Sequence, residues 1–317
     1  MGKQIRPVTL LDLLSLSIPP AAALHLDLAQ QMISPRQFLR GLLSSWLHLR
    51  GPSHTLLCWG DEGLLACVQA WPWSRNSACE VRYLAVWKAA RTQEDVLWEE
   101  LLAALALGAS QEGVTRLLAR LPDEGYLELF QRAGFSPFAE ERVLVWDGTE
   151  VQDVRPTAGL QPVGSEHLWA INQLHANLIP PIVQRAEGYV SDSWLPQRGE
   201  EAWVWQEEGT VQAFVRRRRG SKASGVDLLV DPAFRQHAWA LLAHALAGAS
   251  PPVYLTLRSY QGELLEVAHR LGFRPHAEQI LLVKFLAVAQ EQRQPVSAHK
   301  AERHLEAAPS TPSVRNT

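Results

Sequence analysis

The sequence predicts two tandem α/β (α+β) domains built to one plan, and three observations predict it. One stretch occurs twice, as Glu-Leu-Phe-Gln-Arg-Ala-Gly-Phe-Ser-Pro-Phe-Ala-Glu at 128–140 and as Glu-Val-Ala-His-Arg-Leu-Gly-Phe-Arg-Pro-His-Ala-Glu at 266–278. Glu, Arg, Gly, Phe, Pro, Ala and Glu recur 138 residues apart without a gap, from Gly134 to Gly272 for example. The likeness also continues backwards: Leu101-Leu102-Ala103 and Gly108-Ala109-Ser110 return as Leu241-Leu242-Ala243 and Gly248-Ala249-Ser250. Further back, Asp61-Glu62-Gly63 answers to Glu207-Glu208-Gly209, and Arg6-Pro7-Val8 to Gln161-Pro162-Val163. The spacing shortens from pair to pair towards the C-terminus, so length changes fall between elements, where loops tolerate them. Finally, 317 residues suffice for two domains that each bury a core, and a repeat this long is a duplicated domain, not a solenoid.

Taken in order, residues 8–17 read as a short strand running into a helix. Residues 34–48 carry helical patterning, with Pro35 suited to a first turn and Phe38, Leu39, Leu42, Leu43 and Trp46 on one side. Strand-like runs follow at 55–59, 64–73 and 81–87, the first two joined by the hairpin signal Gly60-Asp61-Glu62-Gly63. A helix begins at Thr92 with Asp95 completing a capping box, and Leu97, Leu101, Leu102 and Leu105 mark its buried face. After a strand at 117–121 comes the repeated unit. It reads as a helix, a glycine in the left-handed cap position, a turn with Pro and a strand. Residues 148–159 are polar and punctuated by Gly and Pro, as a linker is. The order then repeats, with helices over 166–186, strands at 202–206, 210–217 and 225–230, a helix over 234–247, a strand at 253–257 and the second unit. The expected domains are 1–147 and 160–286, followed by a disordered tail at 287–317 that lacks apolar periodicity.

Composition limits the function classes. A net charge of −3 offers no general attraction to nucleic acid or to an anionic membrane. Apolar runs fall short of the roughly 20 residues a membrane span needs. Three cysteines without CxxC spacing suggest reduced thiols and a cytoplasmic location. No metal-ligand spacing, nucleophile elbow or Walker loop is present.

The element order, the run Leu228-Leu229-Val230-Asp231-Pro232-Ala233-Phe234-Arg235 before a helix, and the two Gly-Phe-x-Pro endings resemble the GNAT superfamily of acyl-CoA-dependent N-acetyltransferases. The resemblance covers almost all of residues 1–286 as two degenerate copies. It implies a mixed, mainly antiparallel sheet flanked by helices on both faces of each domain. It also implies acetyl-CoA as co-substrate, with pantetheine lying where the strand before the central helix splays from its neighbour. The diphosphate would sit on the amides of an Arg/Gln-x-x-Gly-x-Gly/Ala loop, because unsatisfied N–H groups at a helix start attract anions.

In the second repeat that loop falls on Arg235, Gln236, His237, Ala238, Trp239 and Ala240, preceded by Leu229 and Val230 on the strand, with Ala238 standing where the first glycine belongs. In the first repeat the matching stretch is Arg91-Thr92-Gln93-Glu94-Asp95-Val96. Its carboxylates would each repel a diphosphate by several kcal/mol, taking roughly 4 kcal/mol for unit charges about 4 Å apart at an effective dielectric near 20. The first domain is therefore expected to bind no coenzyme A. The family's frequent acid, a tyrosine four residues before the unit's glycine, is Phe130 in one copy and Ala268 in the other. Tyr260 and His269 lie near the right region as substitutes, and Asp227 and Glu80 are carboxylates on the central strands available as a base.

Two more features stand out. The run Arg216 to Arg219 reads as charge protecting a strand edge at a hairpin end, with phosphate binding as the other use. The pairs Trp71/Trp73 and Trp203/Trp205 each face one side of a sheet, for packing or for lining a cleft. The expected activity is acetyl transfer to an amine, a small molecule or peptide, in the C-terminal domain. The alternative is an inactive tandem module that binds a ligand or a protein. Neither a nucleic-acid nor a membrane partner is expected.

Overall fold

The computed structural model describes residues 2–16, 19–35, 54–74, 77–87, 93–148, 159–188 and 194–287. Most of the helix expected over 34–48, Thr92 of the expected capping box, most of the linker and nearly all of the tail lie outside the described residues. The first repeat runs β1 (Gln4–Pro7), α1 (Leu13–Leu16), β2 (Ala22–His25), α2 (Leu28–Ile33), β3 (His54–Gly60), β4 (Gly63–Ser74), β5 (Ala78–Val86), α3 (Glu94–Gln111), β6 (Arg116–Leu121), α4 (Leu127–Arg132) and β7 (Ser136–Trp146). The second runs β8 (Leu160–Pro162), α5 (Leu168–Leu178), α6 (Pro181–Glu187), β9 (Glu200–Glu207), β10 (Thr210–Arg219), β11 (Ser224–Val230), α7 (Ala238–Leu246), β12 (Val253–Arg258), α8 (Leu264–Arg270) and β13 (Arg274–Phe285).

The repeated unit folds alike both times. Gly134 and Gly272 adopt φ of +87° and +89°, a region open to glycine. The following amides turn back on the helix, Phe135 N to Phe130 O at 2.9 Å and Phe273 N to Ala268 O at 3.0 Å. Both phenylalanine rings are buried beneath the cap they follow.

Some boundaries differ from expectation. The first strand lies at 4–7, not at Val8, because Asp12 accepts from the Thr9 amide (2.7 Å) and binds Arg6, which turns the chain at Thr9. The helices expected over 166–186 are α5 and α6, which part where Pro180 is extended and Pro181 opens α6. Pro232–His237 forms a 3-10 turn before α7, and β2 was not expected at all.

All strands but β2 join one continuous path, β1-β3-β4-β5-β6-β13-β7-β12-β11-β10-β9-β8. Neither repeat closes its own sheet. β13, the last strand of the second repeat, pairs with β6 of the first, while β7 of the first pairs with β12 of the second. The two exchanged strands run antiparallel side by side at the centre, with Glu141 opposite Gln279. These two residues are each other's counterparts in the repeat, so a local two-fold axis passes between them.

One face of this sheet carries α3 and α7, whose apolar stripes (Leu97, Leu101, Leu102 and Leu105; Leu241, Leu242, Ala245 and Leu246) form the two main cores. On the other face the repeats cross over: α2 lies on β11 and β12, and α6 lies on β6 and β7. Among the described residues no helix is long and apolar enough to cross a membrane. All three cysteines are free and buried.

Candidate functional site

Each repeat has two parallel neighbours that part company. β5 pairs with β6 only from Ala78 to Val81, and β11 pairs with β12 only from Ser224 to Val226. Beyond those points the backbones diverge and leave a slot. The slots have different fates.

In the first repeat β2 fills the slot, pairing antiparallel with residues 83–86 of β5, and the Leu26 amide extends the match to Arg82 O at 3.0 Å. Trp73 stacks on the Arg120 guanidinium at 4.8 Å, and both side chains line the cavity between the repeats. Glu94 and Asp95 both stand in the first turn of α3, and Gln93 provides no side-chain cap. This half does not fit coenzyme A: its slot is taken by its own backbone and its helix start is acidic.

In the second repeat the slot opens into a cavity of about 400 Å³, walled by β10, β11, the end of β12, α5, α6 and α2 and, from the sheet of the first repeat, by Trp73, Arg82, Arg120 and Glu141. Leu228 and Leu229 line it, and the Leu228 carbonyl, free of the β12 ladder, accepts from Gln261 Nε2 at 2.8 Å. That carbonyl is therefore turned toward the slot, where an amide donor can reach it. Below, Asp231 caps the 3-10 turn through the Ala233 amide at 2.8 Å, whereas α7 itself begins at His237 without a side-chain cap. Arg235 and Gln236 are exposed at this turn. Ala238 is buried, and His237 stacks between Trp205 (4.8 Å) and Phe234 (4.3 Å). Trp239 and Ala240 are half-buried in the first turn of α7. The slot and the inward carbonyl fit a pantetheine arm, whereas the turn below already satisfies its own start, with Asp231 on the Ala233 amide and the Ala238 amide on the Arg235 carbonyl, and the Ala238 methyl is buried in the core.

The cavity wall is an interleaved set of charges on one sheet face. Period-2 alternation sends Arg216 and Arg218 into it and Arg217 the other way. Arg216 Nη2 and Arg218 Nη2 both bind Asp227, at 2.8 and 3.0 Å. Arg120 pairs with Glu80, with Asp27 (3.4 Å) and with Glu141 (3.2 Å), and its repeat counterpart Arg258 pairs with Glu141 (3.2 Å) and Glu187 (2.7 Å). Glu141, almost fully buried on the two-fold axis, joins the two repeats.

Arg216 to Arg219 do not protect a strand edge as expected, because β10 is an interior strand between β9 and β11. Arg217 instead binds Glu201 and the Ala245 carbonyl at the end of α7 (3.0 Å), stacked on Trp203.

Of the three candidate catalytic residues the fold brings two to the cavity. Tyr260 lines it, and burial pushes its hydroxyl up to about 12 against the opposing pull of Arg258. Asp227 lines it too, but although burial raises its carboxyl, Arg218 and Arg216 outweigh that and hold it at about 2. A carboxylate so stabilised is a poor proton acceptor. His269 is exposed on α8 and lines a different hollow beside Pro275 and His276. Glu80 is committed to Arg120 and Arg82.

Sequence reasoning missed His175 of α5, which lines the cavity against Trp194 (4.9 Å) and whose pKa burial lowers. It missed Glu187 as well. The signal for Arg258 was available, since Arg120 and Arg258 stand at the same 138-residue spacing as the repeated unit.

Against solved structures the chain is similar to a GCN5-related N-acetyltransferase from Sphaerobacter thermophilus, at 13% identity, 89% of this chain, 95% of that chain and a TM-score of 0.58. The chain has a tandem GNAT fold. It is also similar to a tandem GNAT protein from the clavulanic acid biosynthesis pathway, at 14% identity, 90% of this chain, 98% of that chain and a TM-score of 0.53. No protein-family model matches the sequence, and no curated protein matches it either. In GNAT terms the splayed pair is β11 and β12 in one repeat and β5 and β6 in the other, and only the first pair leaves an open slot.

Proposed function

We propose that this tandem GNAT protein is an acyl-CoA-dependent N-acyltransferase with a single working half, the C-terminal one. A single observation carries the reading. Of two equivalent slots, β2 closes one, and the other opens into a 400 Å³ cavity that holds Tyr260 and His175. That volume is within the range of roughly 300–1,000 Å³ usual for small-molecule sites.

Leu228 and Leu229 would hold the pantetheine arm through their backbone, and the turn from Arg235 to Ala240 would meet the diphosphate with the exposed Arg235 charge. Acetyl-CoA supplies an activated acetyl thioester to this arrangement. The chain's own part is proton handling and exclusion of water. Tyr260 Oη, kept protonated by burial, holds a proton for a departing thiolate. His175, kept neutral by burial, accepts the proton of an incoming ammonium. The N-terminal half supplies α2 and the side chains of Trp73, Arg82, Arg120 and Glu141 to the cavity wall.

Calorimetric titration with acetyl-CoA tests this directly, with one site per chain expected. Arg235→Glu, on an exposed side chain, is expected to abolish that binding without unfolding the protein. Tyr260→Phe is expected to leave affinity unchanged and to lower coenzyme A release by roughly 10²–10⁴-fold, the usual contribution of a positioned acid. A second reading, a tandem fold that binds a ligand without acyl transfer, is favoured by Ala238 and by the Gln261 bridge across the slot. Failure of acetyl-CoA to bind at millimolar concentration would select it.

A further inference from the structure

A single side-chain amide spans the slot between β11 and β12. The parallel ladder of these strands ends at Val226 and Leu255. Beyond it, Gln261 reaches across from the 3-10 turn Ser259–Gln261 that follows β12. Its Oε1 accepts from the amide of Arg258, the last residue of β12, at 3.0 Å, and its Nε2 donates to the Leu228 carbonyl of β11 at 2.8 Å. One planar carboxamide, with both polar atoms engaged, thus ties the parting strands together, and it lines the cavity next to Tyr260.

The first repeat meets the same need with backbone. There the ladder ends at Val81 and Ala119, and the next carbonyl of β5, that of Arg82, accepts from the Leu26 amide at 3.0 Å. In both repeats a carbonyl just past the ladder takes an N–H brought from elsewhere. The donors differ in how firmly they are held. The segment that ends in Leu26 is fixed by four residue pairs between β2 and β5, whereas Gln261 is a side chain that can change rotamer without moving the backbone.

We propose that Gln261 is a placeholder in the slot: its carboxamide stands where a ligand amide goes, and it swings out when a chain bearing secondary amides, such as pantetheine, enters. The identity of that ligand rests on the acyl-CoA reading above. A donor 2.8 Å from the Leu228 oxygen, reaching it from β12, lies in the path of any chain threaded between the strands. Apparent affinity is therefore lowered by the fraction of molecules in which the bridge is open. The same side chain caps the turn that carries Tyr260, so the cap and the bridge have to be separated in the test.

Two variants separate them. Gln261→Met keeps the length of the side chain and removes both bonds, whereas Gln261→Glu still accepts from the Arg258 amide but cannot donate to Leu228. Calorimetry with S-acetylpantetheine, which is uncharged and so indifferent to the new carboxylate, reads the effect in the full chain. Both variants are expected to bind it about tenfold tighter than the natural protein, the usual worth of a hydrogen bond that no longer competes. If Gln261→Met does not fold, Gln261→Glu decides alone. Unchanged or weaker binding in the variants overturns the placeholder and leaves acyl transfer standing. Tighter binding in Gln261→Met but not in Gln261→Glu traces the gain to the turn and overturns it too. Binding by a variant but not by the natural protein upholds the placeholder and sinks acyl transfer as the activity of this chain. Absence of binding in all three proteins overturns both.

Discussion

Replacing Glu141 with Gln tests whether the charge network on the two-fold axis holds the repeats together. Glu141 is 2% exposed and lies 3.2 Å from Nε of both Arg120 and Arg258. The change keeps the shape of the side chain and removes one charge shared by two guanidiniums. Breaking a buried pair from one side costs about 3–5 kcal/mol because the other charge stays buried. Here the low end applies, since Arg120 keeps Glu80 and Asp27 and Arg258 keeps Glu187. A loss of about 3 kcal/mol in a chain this long lowers Tm by about 6 °C, at roughly 2 °C per kcal/mol. Differential scanning calorimetry at neutral pH reads it. A shift under about 2 °C would mean the pair is worth no more than a surface ion pair, about 0–1 kcal/mol, and would refute the network as the element that fastens the centre.

Other outcomes follow from the same geometry. Because β6 and β7 are each completed by strands of the second repeat, residues 1–148 expressed alone are expected not to form a folded monomer, and co-expression with 159–287 is expected to restore a one-to-one complex by sedimentation. Gly220 packs where an added Cβ would overlap the Ile33 carbonyl of α2, so Gly220→Ala should cost about 1–3 kcal/mol, and Ile33→Ala should not rescue it because the obstacle is backbone. Asp227, held at about 2, contributes stability that is complete above the usual carboxylate value of about 4 and is lost as pH falls toward 2. That contribution is about 2 kcal/mol. Asp227→Asn should therefore flatten Tm against pH in that acid window, and an unchanged slope would place the acid sensitivity elsewhere.

Much of the fold was legible because its determinants are local. Gly134 and Gly272 name the two caps by themselves, and Leu97, Leu101, Leu102 and Leu105 show the buried face of α3 by spacing alone. Other features had no local signature. β2 is Ala22-Ala23-Leu24-His25, with no alternation to announce a strand, and it forms because the edge of β5 beyond Val81 has lost β6 as a partner. The role of Arg216 to Arg219 was misread because a hairpin end looks the same in sequence whether the strand lies at an edge or inside. The site was legible only in part: Tyr260 and Asp227 reach the cavity, His269 does not, and His175 and Glu187 enter it from α5 and α6, whose placement no local pattern specifies.

By itself the sequence determined the duplication, the order of elements, the caps and the acidic start of α3, since each depends on residues close together in the chain. Only the tertiary structure decided that the final strands are exchanged between repeats, that one slot is closed and the other open, and that five guanidiniums and their carboxylates meet on one face. The physical reason is symmetry. Two copies of one strand offer either neighbour the same backbone, so the choice of partner rests on the packing of α2 and α6 across the axis and on the positions where the strands differ in charge, Glu141 against Gln279 and Arg142 against Ile280 among them.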